Sequence, residues 1–297
     1  MIKNKSMKSK LCILFFIITS PFIFADEILL TSGEIIYGEI ISMDENIVTV
    51  KTEYGRLEID RVFIQKGLFY SKSLIPANGL LFEFLFNGSL SDSSPNELSL
   101  ENYNNTDFST GADNSPNNSV SSDGTGKYLL LPSCAEANSV DAFSISFWIN
   151  INSGSKNQYM ISKWTTSEGN TADGKFAISY NNSTIYFYIV DTNGYYHLLK
   201  ADNTFPANTW THLAFVCSPG YMAIYINSVK ATENNFNFTG LKYDESPIYI
   251  LTAKSNTSAL WSYYNIVGSM DNLRMYNYAL NEQEIVSLWE EFSSLEE

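Results

Sequence analysis

Thr184-Ile-Tyr-Phe-Tyr-Ile-Val-Asp-Thr192, Asn193-Gly194 and Tyr195-Tyr-His-Leu-Leu-Lys200 form one uninterrupted stretch, and its reading sets the fold class. Two runs rich in β-branched and aromatic residues flank an Asn-Gly pair. That is the strongest short-range hairpin signal, because a two-residue turn needs central residues that accept positive φ. In the first arm Ile185, Phe187 and Ile189 point one way while Tyr186 and Tyr188 point the other. Side chains alternate across a strand, so the aliphatic set is expected in a core and the tyrosine set on a partly wet face.

Outward from this hairpin the same pattern continues. From Gly79 on, strand-sized apolar runs alternate with Asn, Ser, Gly and Asp turns, the spacing of an antiparallel β-sandwich. Only the end of the chain reads as helix. Asn281-Glu-Gln-Glu284 is a capping box, and Ile285, Leu288 and Trp289 then recur at i, i+3 and i+4, a stripe that packs on the sandwich. Before Gly79, residues 26–70 read as a separate small β domain. Ile47-Val-Thr-Val-Lys-Thr52 alternates with period two, and Ser32-Gly33 and Tyr54-Gly55 punctuate its hairpins. Residues 71–78, broken by Pro76, read as a linker, with residues 79–297 as the main domain. Lys3, Lys5, Lys8 and Lys10 precede an apolar run from Leu11 to Phe24 and a small residue at Ala25, the form of a signal peptide over residues 1–25. The run is too short for a membrane span, so the mature chain is expected to be exported without one, to the periplasm, the cell surface or the medium.

The 297-residue chain carries a formal net charge of −14, which opposes nucleic acid and anionic lipid as partners, since both attract basic patches. Signal removal leaves Cys134 and Cys217, which form either a disulfide or two buried thiols. The two histidines, His197 and His212, lie in strand-like runs with no Cys/His cluster, which argues against zinc.

Four pieces, in order, resemble the laminin-G-like, concanavalin A-like jelly-roll family of recognition modules. Leu81-Phe-Glu-Phe-Leu-Phe-Asn-Gly-Ser-Leu-Ser-Asp-Ser-Ser-Pro95 is similar to its opening strand and turn, and Phe143-Ser-Ile-Ser-Phe-Trp-Ile-Asn150 to a central strand. Asn208-Thr-Trp-Thr-His-Leu-Ala-Phe-Val216 and Met222-Ala-Ile-Tyr-Ile-Asn227 resemble a central strand pair. Ile266-Val-Gly-Ser-Met-Asp-Asn-Leu-Arg-Met-Tyr-Asn-Tyr-Ala-Leu-Asn-Glu-Gln-Glu-Ile285 resembles the closing strand, the most specific of the four. Together they span residues 79–290 and imply an all-β jelly roll with a short C-terminal helix. The front unit, with Gly33-Glu34 and Gly38-Glu39, looks like a small SH3-like or Sm-like barrel. Trp148, Trp210, Phe147 and His212 read as packed strand residues rather than a binding or catalytic set.

The resemblance implies a structural calcium site. Asp92 and Asp271 are the carried-over ligands, with Asn96 or Asp123 assisting, although Pro95 and Glu97 depart from the family's turn and Asp92 can equally cap that turn. For a glycan, the loop aromatics Trp261, Tyr263, Tyr264, Tyr195 and Tyr196 supply stacking faces. Catalysis is not expected. Related hydrolases carry an E-x-D-x-E triplet, whereas here Asp271 stands without a carboxylate two positions away and Glu53, Glu58 and Asp60 fall in the front unit. The expected function is carbohydrate recognition, with contact to an envelope or surface protein as the alternative.

Overall fold

A computed structural model describes residues 26–43, 47–52, 54–68, 76–132, 134–152, 157–166, 173–202, 206–255 and 264–293. The chain divides into two compact units between Lys72 and Ser73. In the first, strands β1 (Asp26–Leu30), β2 (Ile35–Met43), β3 (Ile47–Thr52), β4 (Gly55–Asp60) and β5 (Ile64–Leu68) pair antiparallel in the order β4-β3-β2-β1-β5. Val48 and Val50 are buried with Ile28 and Ile59, while Ile47 and Lys51 face solvent, as the alternation requires. Gly38 has a steric reason to lack a side chain: a Cβ there would stand 2.6 Å from both Val50 Cγ1 and the Lys51 carbonyl oxygen.

The second unit is a sandwich of two antiparallel sheets. One runs β15 (Tyr196–Ala201), β14 (Thr184–Val190), β13 (Asp173–Asn181), β12 (Gln158–Thr166), β19 (Ile248–Ile250), β10 (Tyr128–Leu131) and β7 (Glu101–Tyr103), with the short β20 (Lys254–Ser255) added parallel to β12. The other runs β18 (Val229–Asn235), β17 (Tyr221–Ile226), β16 (Thr211–Ser218), β11 (Phe143–Ile151), β21 (Val267–Tyr276), β9 (Ser119–Asp123) and β8 (Asp107–Ser109), with β6 (Leu80–Phe84) also on β21. Phe187 of the first sheet meets Phe143 and Phe215 of the second edge-on, at ring centroids 6.0 and 5.4 Å apart. The inward rows, Ile185-Phe187-Ile189 against Ile145-Phe147-Ile149, close one apolar core.

The hairpin at residues 184–201 forms, but not with the expected turn. Of the Asn-Gly pair, Gly194 has a positive φ (82°) and Asn193 does not. Asp191 N–H donates to the Tyr195 carbonyl and Gly194 N–H to the Asp191 carbonyl, closing a three-residue loop. Buried Asp191 selects it, since its Oδ1 accepts from the Asn193 and Tyr195 N–H groups and its Oδ2 bonds His197 Nε2 at 3.0 Å. Two-residue turns with both central φ positive instead occur at Asn182-Ser183 and Asn227-Ser228.

The C-terminal helix, Glu282–Ser293, starts at the capping box: Asn281 Oδ1 accepts from Glu284 N–H, and Glu284 Oε2 accepts from Asn281 N–H. It lies over the outer face of the second sheet. Ile285 and Leu288 pack on Ala214, Val216, Ala223 and Tyr276, and Phe292 meets Trp148 edge-on at 6.0 Å. Beneath it Arg274, 2% exposed, is held bidentate by Glu291 and bonded through Nε to Glu83 at 2.7 Å. Phe147 is in the core and Trp210 half-buried, but Trp148 turns outward, into the space under this helix. Cys134 and Cys217 are buried free thiols, so the disulfide alternative is not realised; burial pushes both thiols' pKa upward.

Candidate functional site

Among the described residues the outer face of the first sheet is aromatic, and the one helical residue that meets it is Tyr264, against Tyr159. Register places Tyr186 beside Lys200 and Ser179, and Tyr188 beside Leu198 and Ala177. Across the next strands Ser179 stands opposite Tyr159, Ala177 opposite Ser162, and Ser162 opposite Tyr249. Short side chains at Ala177, Ser179 and Ser162 thus form a floor between taller rings. The register shift between Tyr159 and Ile161, where Met160 and Ile161 both turn into the core, brings Trp164 onto the same face as Ser162, 6.0 Å from the Tyr188 ring. Tyr188 lies 6.2 Å from Tyr186 and nearly parallel to it (11°), giving a ladder Trp164–Tyr188–Tyr186 with all three rings half-buried. Lys200 Nζ caps the ladder, 5.2 Å from the Tyr186 centroid.

Farther along the face Tyr128 stacks on Tyr103 at 4.7 Å and 5° and approaches Tyr249 at 6.1 Å. Burial raises the hydroxyl pKa of Tyr128, to about 12, and that of Tyr188. The rings are therefore neutral at physiological pH, each with an apolar face and a hydrogen-bonding tip. The ladder's register neighbours are Ala, Ser, Leu and Lys. No carboxylate pair of the kind a hydrolase uses stands among them.

Of the aromatics chosen from sequence, Tyr196 joins this face, paired with Val190 in the row of Leu198 and Lys200 and 59% exposed. Tyr264 stands edge-on against Tyr159 at 5.6 Å. Tyr195, 70% exposed, is at the hairpin tip. Trp261 and Tyr263 lie outside the described residues. The alternation of Tyr186 and Tyr188 was the signal for the ladder, whereas Trp164 was missed because a bulge sets its face.

The calcium candidates do not fit a cation. Asp92 is saturated by donors: Oδ1 accepts from Glu83 and Ser94 N–H, both at 2.8 Å, and Oδ2 accepts from Leu98 N–H at 2.9 Å and Ser94 Oγ at 2.8 Å. It is a turn staple, and Asn96 beside it donates to the Leu81 carbonyl. Asp271 is fully buried; its Oδ2 accepts from Ala112 N–H, and burial lifts its pKa to about 7. Asp123 is engaged by Thr125 and Lys127. Among the described residues no group of three or more His, Cys, Asp or Glu is arranged to hold a metal.

A family model described as the concanavalin A-like lectin/glucanases superfamily matches residues 123–286. No curated protein matches the sequence. Among solved structures, the binding domain of botulinum neurotoxin serotype D is similar at TM-score 0.55 and 17% identity, over 72% of this chain and 52% of that one. The binding domain of Paraclostridial Mosquitocidal Protein 1 gives 0.57 and 19%, over 72% and 52%. The serotype D ligand-binding domain in complex with N-acetylneuraminic acid gives 0.57 and 18%, over 74% and 52%. The chain spans about half the length of these structures, and at such identity the likeness is one of fold.

Proposed function

Because the chain belongs to the concanavalin A-like lectin/glucanases superfamily, we propose that it is an exported, non-catalytic carbohydrate-recognition module that holds its ligand on the outer face of the first sheet. The observation that carries this reading is the Trp164–Tyr188–Tyr186 ladder. Its two ring-to-ring steps are each on the scale of one sugar ring. Sugars bind by laying their C–H faces on aromatic rings while their hydroxyls find polar partners, and here the tyrosine hydroxyls and Lys200 border the rings. Recognition domains among the structural neighbours, one solved with N-acetylneuraminic acid, support the same class of ligand. Among the described residues no carboxylate pair stands at the ladder's register neighbours, which suits binding rather than hydrolysis.

A second role suits the N-terminal unit, which we read as a small SH3-like or Sm-like barrel from its five-strand order and the 3-10 turn Arg61–Phe63 before the last strand. Its exposed apolar residues Ile35, Tyr37, Leu57, Val62 and Phe63 fit contact with an envelope or surface protein.

The test is a glycan array with the mature chain, with and without calcium, repeated with Tyr188→Ala and Tyr195→Ala. The expected result is calcium-independent retention that Tyr188→Ala reduces at least tenfold and Tyr195→Ala leaves near wild type. Failure of the mature chain to retain any glycan in either buffer overturns the proposal.

A further inference from the structure

The short helix Ala135–Asn138 and strands β12 and β13 bring three polar side chains together in the interior. Lys163 and Lys175 are fully buried and Asn138 is 4% exposed. Lys163 Nζ lies 2.9 Å from Asn138 Oδ1 and also donates to the Ser246 carbonyl. Lys175 Nζ donates to the main-chain carbonyl of the same Asn138 at 2.9 Å. Among the described residues neither lysine forms an ion pair with a carboxylate; Asp141, Asp244 and Glu245 act on them only at longer range. A buried ammonium without a counter-ion is costly, and an amine in such a place turns neutral and nucleophilic. Burial lowers the pKa of both lysines, that of Lys175 to about 8.

We propose that Lys163 and Asn138 become joined, without any enzyme, by an isopeptide bond between Nζ and Cγ. The Asn138 carbonyl carbon is one C=O bond, about 1.23 Å, beyond the oxygen that Lys163 already touches. The pair is held at the separation from which intramolecular reactions gain most from orientation. The neutral Nζ adds to Cγ, and the Cγ–Nδ2 bond breaks as the Nζ–Cγ bond is retained. The departing nitrogen takes the proton that Nζ sheds and leaves as ammonia. Nothing is oxidised or reduced, and no co-reactant is needed. Lys175, bonded to the main-chain carbonyl of the same residue, fixes Asn138 in place. The link ties the helix that precedes β11 to β12 of the opposite sheet, closing a covalent loop through the sandwich core.

Intact-mass spectrometry of the purified full chain under denaturing conditions, followed by peptide mapping, decides the matter. The expected mass is about 17 Da below that of the unlinked chain, the mass of ammonia, with a branched peptide joining positions 138 and 163. Asn138→Asp should lose about 18 Da instead, because water replaces ammonia as the leaving group. Lys163→Arg should show the full mass. A wild-type chain at full mass, with separate peptides for positions 138 and 163, overturns the proposal whether or not either variant folds.

Discussion

On the sheet that ends in β15, the side chains turned away from the core are Tyr186, Tyr188, Trp164, Tyr159 and Tyr128, with serine and alanine between them. On the other sheet the corresponding positions are Ser146, Trp148, His212, Asp271 and Arg274, and a helix lies over them. Both rows come from the same two-residue period. The first row consists of large rings that tolerate partial wetting; the row under the helix includes, beside Ser146 and Trp148, the ionisable His212, Asp271 and Arg274, which need partners once water is excluded. Alternation fixes which residues share a face, and the cover decides which chemistry that face can hold.

The largest expected effect breaks the covered face. Arg274→Met leaves Glu83 and Glu291 without their shared cation and should cost about 3–5 kcal/mol, read as a fall in melting temperature, while the ladder, on the opposite sheet, keeps its geometry. A change below about 1 kcal/mol would show that the network contributes little.

Next comes a pair of opposed titrations on either side of Trp148, which is cross-strand to both Asp271 and His212. Burial, reinforced by Asp113 and Glu291, raises Asp271 from 3.8 to about 7. Its contribution is complete below pH 3.8 and is lost as pH rises toward 7. Burial and Arg274 lower His212 from 6.5 to about 3, so its contribution is complete above pH 6.5 and is lost as pH falls toward 3. Each slope is about 1.4 kcal/mol per pH unit, so between pH 4 and 6.5 they nearly cancel. Wild-type stability should be flat there, while Asp271→Asn should become more stable with rising pH. Equal slopes for the two proteins in urea titrations would contradict these shifts.

A smaller effect sharpens the open face. Tyr188→Ala should lower stability by about 1 kcal/mol, since the ring is only half-buried, so its loss of glycan retention would not be a folding defect. The smallest effect concerns the free thiols: a reductant should leave the melting temperature within about 1 °C, because Cys134 and Cys217 are not bridged.

Much of the fold was legible in the sequence. The strand Thr184–Val190, the capping box at Asn281 and Glu284, and the order of the four motifs each report local periodicity or local hydrogen bonding. What was not legible depended on geometry outside its own segment. The Asn-Gly turn took a three-residue form because Asp191 is buried, and Trp164 changed faces at a bulge. Asp92, chosen as a cation ligand, staples a turn, because its partners come from Glu83, Ser94 and Leu98 as folded. For the site, Tyr186 and Tyr188 stood out as a face but not as a ladder with Trp164. Tyr196 was chosen as a loop aromatic and proved to be a strand residue of that face.

Strand β21 is the last in the sequence and sits inside its sheet, bonded to β11, β9 and β6. A ribosome delivers this strand only after all three of these partners have been made. Until Tyr276 emerges, the second sheet is two fragments with open edges and the lone strand β6, and the core has only one complete wall. Folding of the sandwich is therefore a late and largely single event, slowed by pairings of long sequence separation. A nascent or truncated chain ending before Val267 should remain protease-sensitive and prone to edge-to-edge association.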